Sequence, residues 1–222
     1  MKVLHVLSGG LDSTVLLADN VAQHGAGNVV CVNFSYGSKH NDRERAAAIL
    51  VTQHYKVTLV KVELHLRGFK STLMYEGGEI PEGHYEDETM RSTVVPFRNG
   101  IMLSYAVGMA ESMGLELVTI GAHSGDHAIY PDCTPEFIHA MDSAAALGTY
   151  KCVHIVAPFS DMDKAEIVKA GFELNAPMHL TYTCYNGGRK HCGRCGACVE
   201  RAEAFTLAGV EDPTQWEEPC SE

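Results

Sequence analysis

Short apolar, β-branched runs alternate along the chain with longer stretches of helical periodicity. Strands are expected at 3–7, 29–34, 57–62, 117–120 and 153–156. Four of these five runs are nearly unbroken in apolar residues, the pattern of strands covered on both faces. Helical segments lie between them. In 13–24 the apolar positions are Val15, Leu16, Ala18, Val21 and Ala22, and in 41–55 Ala46, Ala47, Ile49, Leu50 and Val51 follow a charged first turn. Segments 100–113, 135–147 and 164–170 repeat the alternation. Such alternation with short connections implies right-handed crossovers. The expected fold class is therefore α/β, a doubly wound, mostly parallel, five-stranded, Rossmann-like sheet. Ligands of these sheets bind beyond the carboxyl ends of the strands. The loop from Ser8, the turn 36–40 and the loop 121–132 all lie at such ends and are candidates for one shared site.

Two stretches break the rhythm. Residues 64–95 are rich in Gly, Glu and His without a clear period. They read as a flap over the site, as a contact in a homodimer, or as a solvated excursion. From Pro177 onward come closely spaced cysteines, a short helix at 197–207 and an acidic tail ending near Cys220. The expected organisation is an α/β domain over 1–176 with a cysteine module and tail, 177–222, packed on it.

The first strand runs directly into Ser8-Gly9-Gly10-Leu11-Asp12-Ser13-Thr14, which opens a helix. Glycines let backbone N–H groups close on an anion, and the helix N-terminus adds its partial positive charge. The hydroxyls of Ser8, Ser13 and Thr14 can donate hydrogen bonds, while the Asp12 carboxylate suits a Mg²⁺ better than a phosphate. This is a phosphate cradle without the Gly-Lys-Ser/Thr ending of a Walker loop.

Composition narrows the partners. A net charge of −11 argues against a nucleic-acid backbone as a direct partner, so a nucleotide must be held by local donors. No apolar run reaches the roughly 20 residues needed to span a bilayer. No signal peptide is apparent, so a reducing cytoplasm is expected.

Of eight cysteines, Cys184, Cys192, Cys195 and Cys198 form Cys-x7-Cys-x2-Cys-x2-Cys. Four thiolates at this density suit one tetrahedral Zn²⁺, and a closed ligand set makes the metal structural. An iron–sulfur cluster is the competing reading. Cys31 and Cys152, at or beside strands, read as small core residues.

Several motifs in order resemble one family. They are Leu7–Thr14; Tyr36-Gly37-Ser38-Lys39-His40; Val95-Pro96-Phe97-Arg98-Asn99; Tyr130-Pro131-Asp132-Cys133-Thr134-Pro135-Glu136-Phe137; Asp163-Lys164-Ala165-Glu166-Ile167; and Thr183-Cys184-Tyr185-Asn186-Gly187 with the three later cysteines. The first resembles the pyrophosphate loop of the N-type ATP pyrophosphatases. Together they resemble the 7-cyano-7-deazaguanine synthases. The resemblance implies an ATP-dependent ligase that converts 7-carboxy-7-deazaguanine and ammonia to the nitrile through an adenylate and an amide. ATP would lie on Leu7, Ser8, Gly9, Gly10, Leu11, Asp12, Ser13, Thr14, Val15, Leu16 and Leu17. Asp12, Lys164 and His40 would be catalytic, and Tyr36, Arg98, Asn99, Asp126, Tyr130 and Asp132 would hold the deazapurine. Mg²⁺ and one structural Zn²⁺ per chain would complete the site.

Some residues depart from the family's common pattern. Ser38 and Lys39 replace Gln-Arg, Phe97 stands where Gly is frequent, and Ala128-Ile129 replace Ser-Gly. A reaction that stops at 7-amido-7-deazaguanine is one alternative, and a nucleotide-binding regulator without turnover is another. A tRNA- or thiol-modifying ATP pyrophosphatase would share the loop but should carry catalytic cysteines or a basic RNA-binding region.

Overall fold

A computed structural model describes residues 1–66, 68–74, 78–84 and 88–217. Five strands, β1 (Val3–Val6), β2 (Val29–Ser35), β3 (Thr58–Glu63), β4 (Leu117–Thr119) and β5 (His154–Val156), form one sheet. Their order is β3-β2-β1-β4-β5, and every pairing is parallel. Val3 lies opposite Val29 on one side and Leu117 on the other, so β1 is central.

Alternation along β1 assigns the two faces. Val3 and Leu7 pack with Leu17, Ala48 and Val51 from α1 (Leu11–His24) and α2 (Asn41–Tyr55). Leu4 and Val6 pack on the opposite face with Leu103 and Ala106 of α3 (Arg98–Met113) and Ile138 of α4 (Pro135–Gly148). A third cluster joins α1 to Ile167 and Val168 of α5 (Lys164–Glu173) and to Phe205 of α6 (Gly196–Ala208). The doubly wound sheet expected from the alternation is the one observed.

The edges depart from the pattern of full cover. On β5, Ile155 is buried while His154 and Val156 are exposed, and β3 is buried fully only at Val62. Both strands are sheet edges, so one flank lacks a neighbour and the outer face is only partly covered. Inside the sheet, His5 is fully buried yet polar. Its Nε2 donates to the Ser13 carbonyl at 2.8 Å, and its Nδ1 lies 2.9 Å from Thr119 Oγ1. This bond ties the first turn of α1 to both central strands.

The stretch 64–95 is not a solvated excursion where it is described. Leu73 and Met90 are buried, Leu73 O accepts from Lys39 N, and Gly83 N donates to Arg194 O. It therefore packs between the 36–40 turn and the cysteine module. Residues 67, 75–77 and 85–87 of that stretch and the tail at Cys220 lie outside the described residues.

Candidate functional site

The chain runs β1, β2, β3 in one direction and then returns to place β4 beside β1. A crevice at such a reversal is where open α/β sheets bind ligands. Here it is lined by Leu7, Ser8, Gly10, Leu11, Asp12 and Ser13 from the loop after β1, and by Ile120, Gly121 and Ala122 after β4. No side chain caps α1, whose N-cap is Gly10. The first-turn N–H groups therefore remain available to an anion. Ser8 Oγ lies 3.0 Å from Ser13 Oγ and accepts from Gly10 N at 3.1 Å, which fixes the loop.

Gly9 does something different from what its sequence suggests. Its φ is +98°, and a Cβ there would sit 2.2 Å from the Glu44 carbonyl oxygen. Glycine is required here by the backbone of α2, and Gly9 does not line the crevice. Thr14, Val15, Leu16 and Leu17 do not line it either. All four are fully buried and anchor the helix that presents the loop.

Lys164 closes the crevice at the N-terminus of α1. It is the first residue of α5, fixed by a capping box in which Glu166 N donates to Asp163 Oδ1 and Asp163 N donates to Glu166 Oε2. Its Nζ lies 2.6 Å from Glu200 Oε2 and 3.3 Å from Asp12 Oδ2. Buried His123 places Nε2 3.8 Å from Asp12 and 3.7 Å from Asp126. Burial works against the Asp12 charge, but Lys164 and His123 hold its carboxyl below the usual range. Burial also opposes the Lys164 charge, yet Asp12, Glu200 and Asp126 keep the ammonium protonated. Asp12 Oδ1 is buried and has no hydrogen-bond partner among the described residues.

The far end of the crevice is aromatic. Tyr36, His40, Arg98, Asn99, Tyr130 and Tyr185 line it. Three successive N–H groups, of Tyr36, Gly37 and Ser38, donate to Asn41 Oδ1 at 2.8–2.9 Å and shape the 36–40 turn. Arg98 Nη1 donates to Tyr36 Oη at 3.1 Å. Burial, with the nearby Arg98 charge, lowers the His40 pKa to about 4 and leaves the ring neutral at pH 7. Asn99 is no helix cap. It lies inside α3, and its Nδ2 donates to Asp132 O and Cys133 Sγ. Asp132 does not line the crevice; its Oδ2 accepts Asn99 N at 2.7 Å and holds the start of α3.

Sequence reasoning missed three groups. Glu44 and Glu200 line the crevice, and His123 bridges its carboxylates. Glu200 stands three residues after Ala197 on α6, and the helical spacing turns both toward the crevice.

Behind that helix lies the cysteine module. The sulfurs of Cys184, Cys192, Cys195 and Cys198 lie within 4.8 Å of one another, and all four residues are buried. Gly193, at φ +72°, turns the chain so that Arg194 N and Cys195 N both donate to Cys192 Sγ, at 3.4 and 3.3 Å. Asn186 Nδ2 donates to the same sulfur. Donors aimed at sulfur suit thiolates, and a closed set of four fits a tetrahedral structural metal such as zinc.

A sequence profile described as "Queuosine biosynthesis protein QueC" matches residues 2–209. The chain belongs to the QueC family. That is the family its motifs resemble. A Porphyromonas gingivalis relative named 7-cyano-7-deazaguanine synthase is 47% identical over 216 residues, covering 96% of each chain. One of the same name from Desulfotalea psychrophila is 49% identical over 213 residues, 95% of this chain and 96% of that one. A third, from Rhizobium etli, is 44% identical over 98% of this chain and 93% of its own. Among solved structures, NMN synthetase from Francisella tularensis superposes with TM-score 0.53 at 13% identity, covering 95% of this chain and 78% of that one. The U34-tRNA thiolase NcsA from Methanococcus maripaludis, solved with its [4Fe-4S] cluster, gives 0.51 at 14% identity, covering 93% and 65%. These two likenesses show a shared fold. No helix of the described QueC-family chain is long and apolar enough to cross a membrane.

Proposed function

We propose that this chain converts 7-carboxy-7-deazaguanine and ammonia to 7-cyano-7-deazaguanine, consuming ATP to AMP and pyrophosphate at each of two activations. The family and the name its relatives carry supply the substrate class. The observation that carries the chemistry is one crevice joining an uncapped helix N-terminus, flanked by Lys164, to an aromatic end holding Arg98.

In this reading the substrate carboxylate attacks the α-phosphorus, the bond to the pyrophosphate oxygen breaks, and an acyl-adenylate forms. Ammonia adds to the acyl carbon, AMP leaves, and the amide results after loss of a proton. The amide oxygen then attacks a second ATP. Departure of AMP with loss of the remaining N–H protons leaves the nitrile. The N–H groups of α1 and the Lys164 ammonium would stabilise the leaving pyrophosphate by position and charge. His40, neutral through burial, offers a lone pair for the proton that ammonia loses. Leu7, Leu11 and Tyr130 would wall the reactants from water.

Asp12 Oδ1, buried and unpartnered, fits a Mg²⁺ beside the carboxylates of Asp126 and Glu200, all hard oxygen donors. When bound, Mg²⁺ supplies charge neutralisation of the phosphates. The four cysteines would hold one Zn²⁺ with a structural role. Residues 1–176 would carry the nucleotide chemistry, and 177–222 would act as a module on the same unit, delivering Glu200. The reaction calls for no nucleic acid and no membrane, and suits a cytoplasmic enzyme working on small molecules.

The test is pyrophosphate release. It should depend on adding 7-carboxy-7-deazaguanine, and Asp12→Asn should slow it on the order of 10²–10³-fold with an unchanged fold. Release without substrate, or none with it, overturns the assignment.

A further inference from the structure

The aromatic end of the crevice holds one acidic side chain that no motif singles out. Glu44 projects from the first turn of α2, and its side chain is 19% exposed. Its carboxylate has one charge-capable neighbour within 4 Å among the described residues, His40 Nε2 at 3.6 Å from Oε2. That ring is neutral at pH 7. No hydrogen bond to the carboxylate is formed by a described residue; Arg98, which donates to Tyr36 Oη, acts on it by charge without bonding it. A largely buried carboxyl group without hydrogen-bond partners is costly whether protonated or ionised, and such groups persist where a ligand supplies the missing bonds.

The chemistry of the missing partner follows from the acceptor. An ionised carboxylate offers two oxygens and no donor, so it matches two adjacent N–H groups in one plane. A 2-amino-pyrimidinone edge presents that pair, its ring N1–H and its exocyclic 2-amino group. An adenine edge does not, because it sets one amino donor beside a ring acceptor. Resting on the function proposed above, we infer that Glu44 is a specificity-determining residue that reads the N1–H and 2-amino edge of the 7-deazaguanine substrate. Burial holds the free carboxyl near pKa 8, and two donors brought by the substrate favour its ionised form. The assignment also explains why Asp132, a sequence candidate for this reading, is free to serve α3 instead.

The test compares Glu44→Gln and Glu44→Asp with the parent enzyme on 7-carboxy-7-deazaguanine and on its analogue lacking the 2-amino group. Losing the charged acceptor should raise KM for the full substrate about 10- to 100-fold, with KM for ATP unchanged within about twofold. The parent enzyme should discriminate against the analogue by a similar factor, and Glu44→Gln should not. Glu44→Asp keeps the charge and should retain part of the discrimination. A fall in kcat with KM unchanged would make Glu44 a proton acceptor and overturn the inference. Equal KM values for parent and Glu44→Gln also overturn it. If Glu44→Gln fails to fold, a parent enzyme indifferent to the 2-amino group overturns it, and so does a Glu44→Asp variant that keeps the full parental discrimination despite its shorter reach. A parent enzyme inactive on 7-carboxy-7-deazaguanine instead refutes the underlying function.

Discussion

Glu200 stands two residues beyond Cys198 and meets the Lys164 ammonium at 2.6 Å. The last of the four clustered cysteines thus lies about half a helical turn from a carboxylate that lines the crevice. Helix α6 starts inside the module, with Cys195 at its N-cap, so the geometry of the four sulfurs sets where Glu200 arrives. A module that looks remote in sequence is structurally continuous with the site.

Lys164 balances three carboxylates, Asp12, Asp126 and Glu200, in a region where it is 12% exposed. Removing one member of a buried charge group leaves the others uncompensated. Lys164→Met is therefore expected to lower unfolding stability by about 3 kcal/mol. Added Mg²⁺ should recover part of that loss, because the remaining carboxylates can take the cation. Chemical denaturation with and without Mg²⁺ checks this, and an Mg²⁺-insensitive midpoint would refute it.

Elemental analysis of the purified protein should find one zinc per chain, absent from Cys195→Ser. Metal binding contributes directly to folding, so Cys195→Ser should destabilise more than Cys31→Ser. The latter buries a hydroxyl in the sheet at a cost of about 2 kcal/mol. Iron with acid-labile sulfide in place of zinc would reverse the choice between the two metals.

His5 gives a pH dependence with a definite sign. Burial lowers its folded pKa from 6.5 to about 4, with the Ser13 carbonyl opposing in part. Between those values the unfolded chain binds the extra proton, so stability rises with pH. The contribution is complete above pH 6.5 and is lost as pH falls toward 4, amounting to about 3 kcal/mol at most. His5→Gln should flatten the slope of unfolding free energy over this window relative to the parent. Parallel slopes would show that His5 is not the group responsible. The variant should also slow pyrophosphate release, since the bond from His5 to Ser13 O positions the loop.

The fold was legible because hydrophobic periodicity and strand–helix alternation are local properties. So was Lys164, whose capping box is written in four consecutive residues, Asp163 to Glu166. Glu44, His123 and Glu200 were not. Their partners are distant in the chain, and only the placement of β4 beside β1 brings the loops together. Twelve histidines also leave His123 indistinct until its burial between two carboxylates is seen. At Gly9 the structure adds a reason the sequence does not show, since the backbone of α2 excludes a Cβ there.

In the proposed reaction the final product depends on whether the amide stays bound for a second activation. The residues that depart from the family's usual pattern, Ser38, Lys39, Phe97, Ala128 and Ile129, bear on that question. None of the five lines the crevice. Ser38 is buried and serves the Asn41 turn through its N–H, while Ile129 is core and Ala128 faces solvent. Phe97 holds a left-handed φ of +55° that a glycine adopts freely, and its ring lies outward, edge-on to Phe137. The departures therefore change the scaffold and leave the groups that would contact a deazapurine, Tyr36, Glu44, Arg98 and Tyr130, in one wall. The nitrile is accordingly the expected end point. Mass spectrometry of a long incubation with excess ATP and ammonium should show 7-amido-7-deazaguanine rise and then fall as the nitrile accumulates. Amide that persists with no nitrile while ATP remains would place the stopping point one activation earlier.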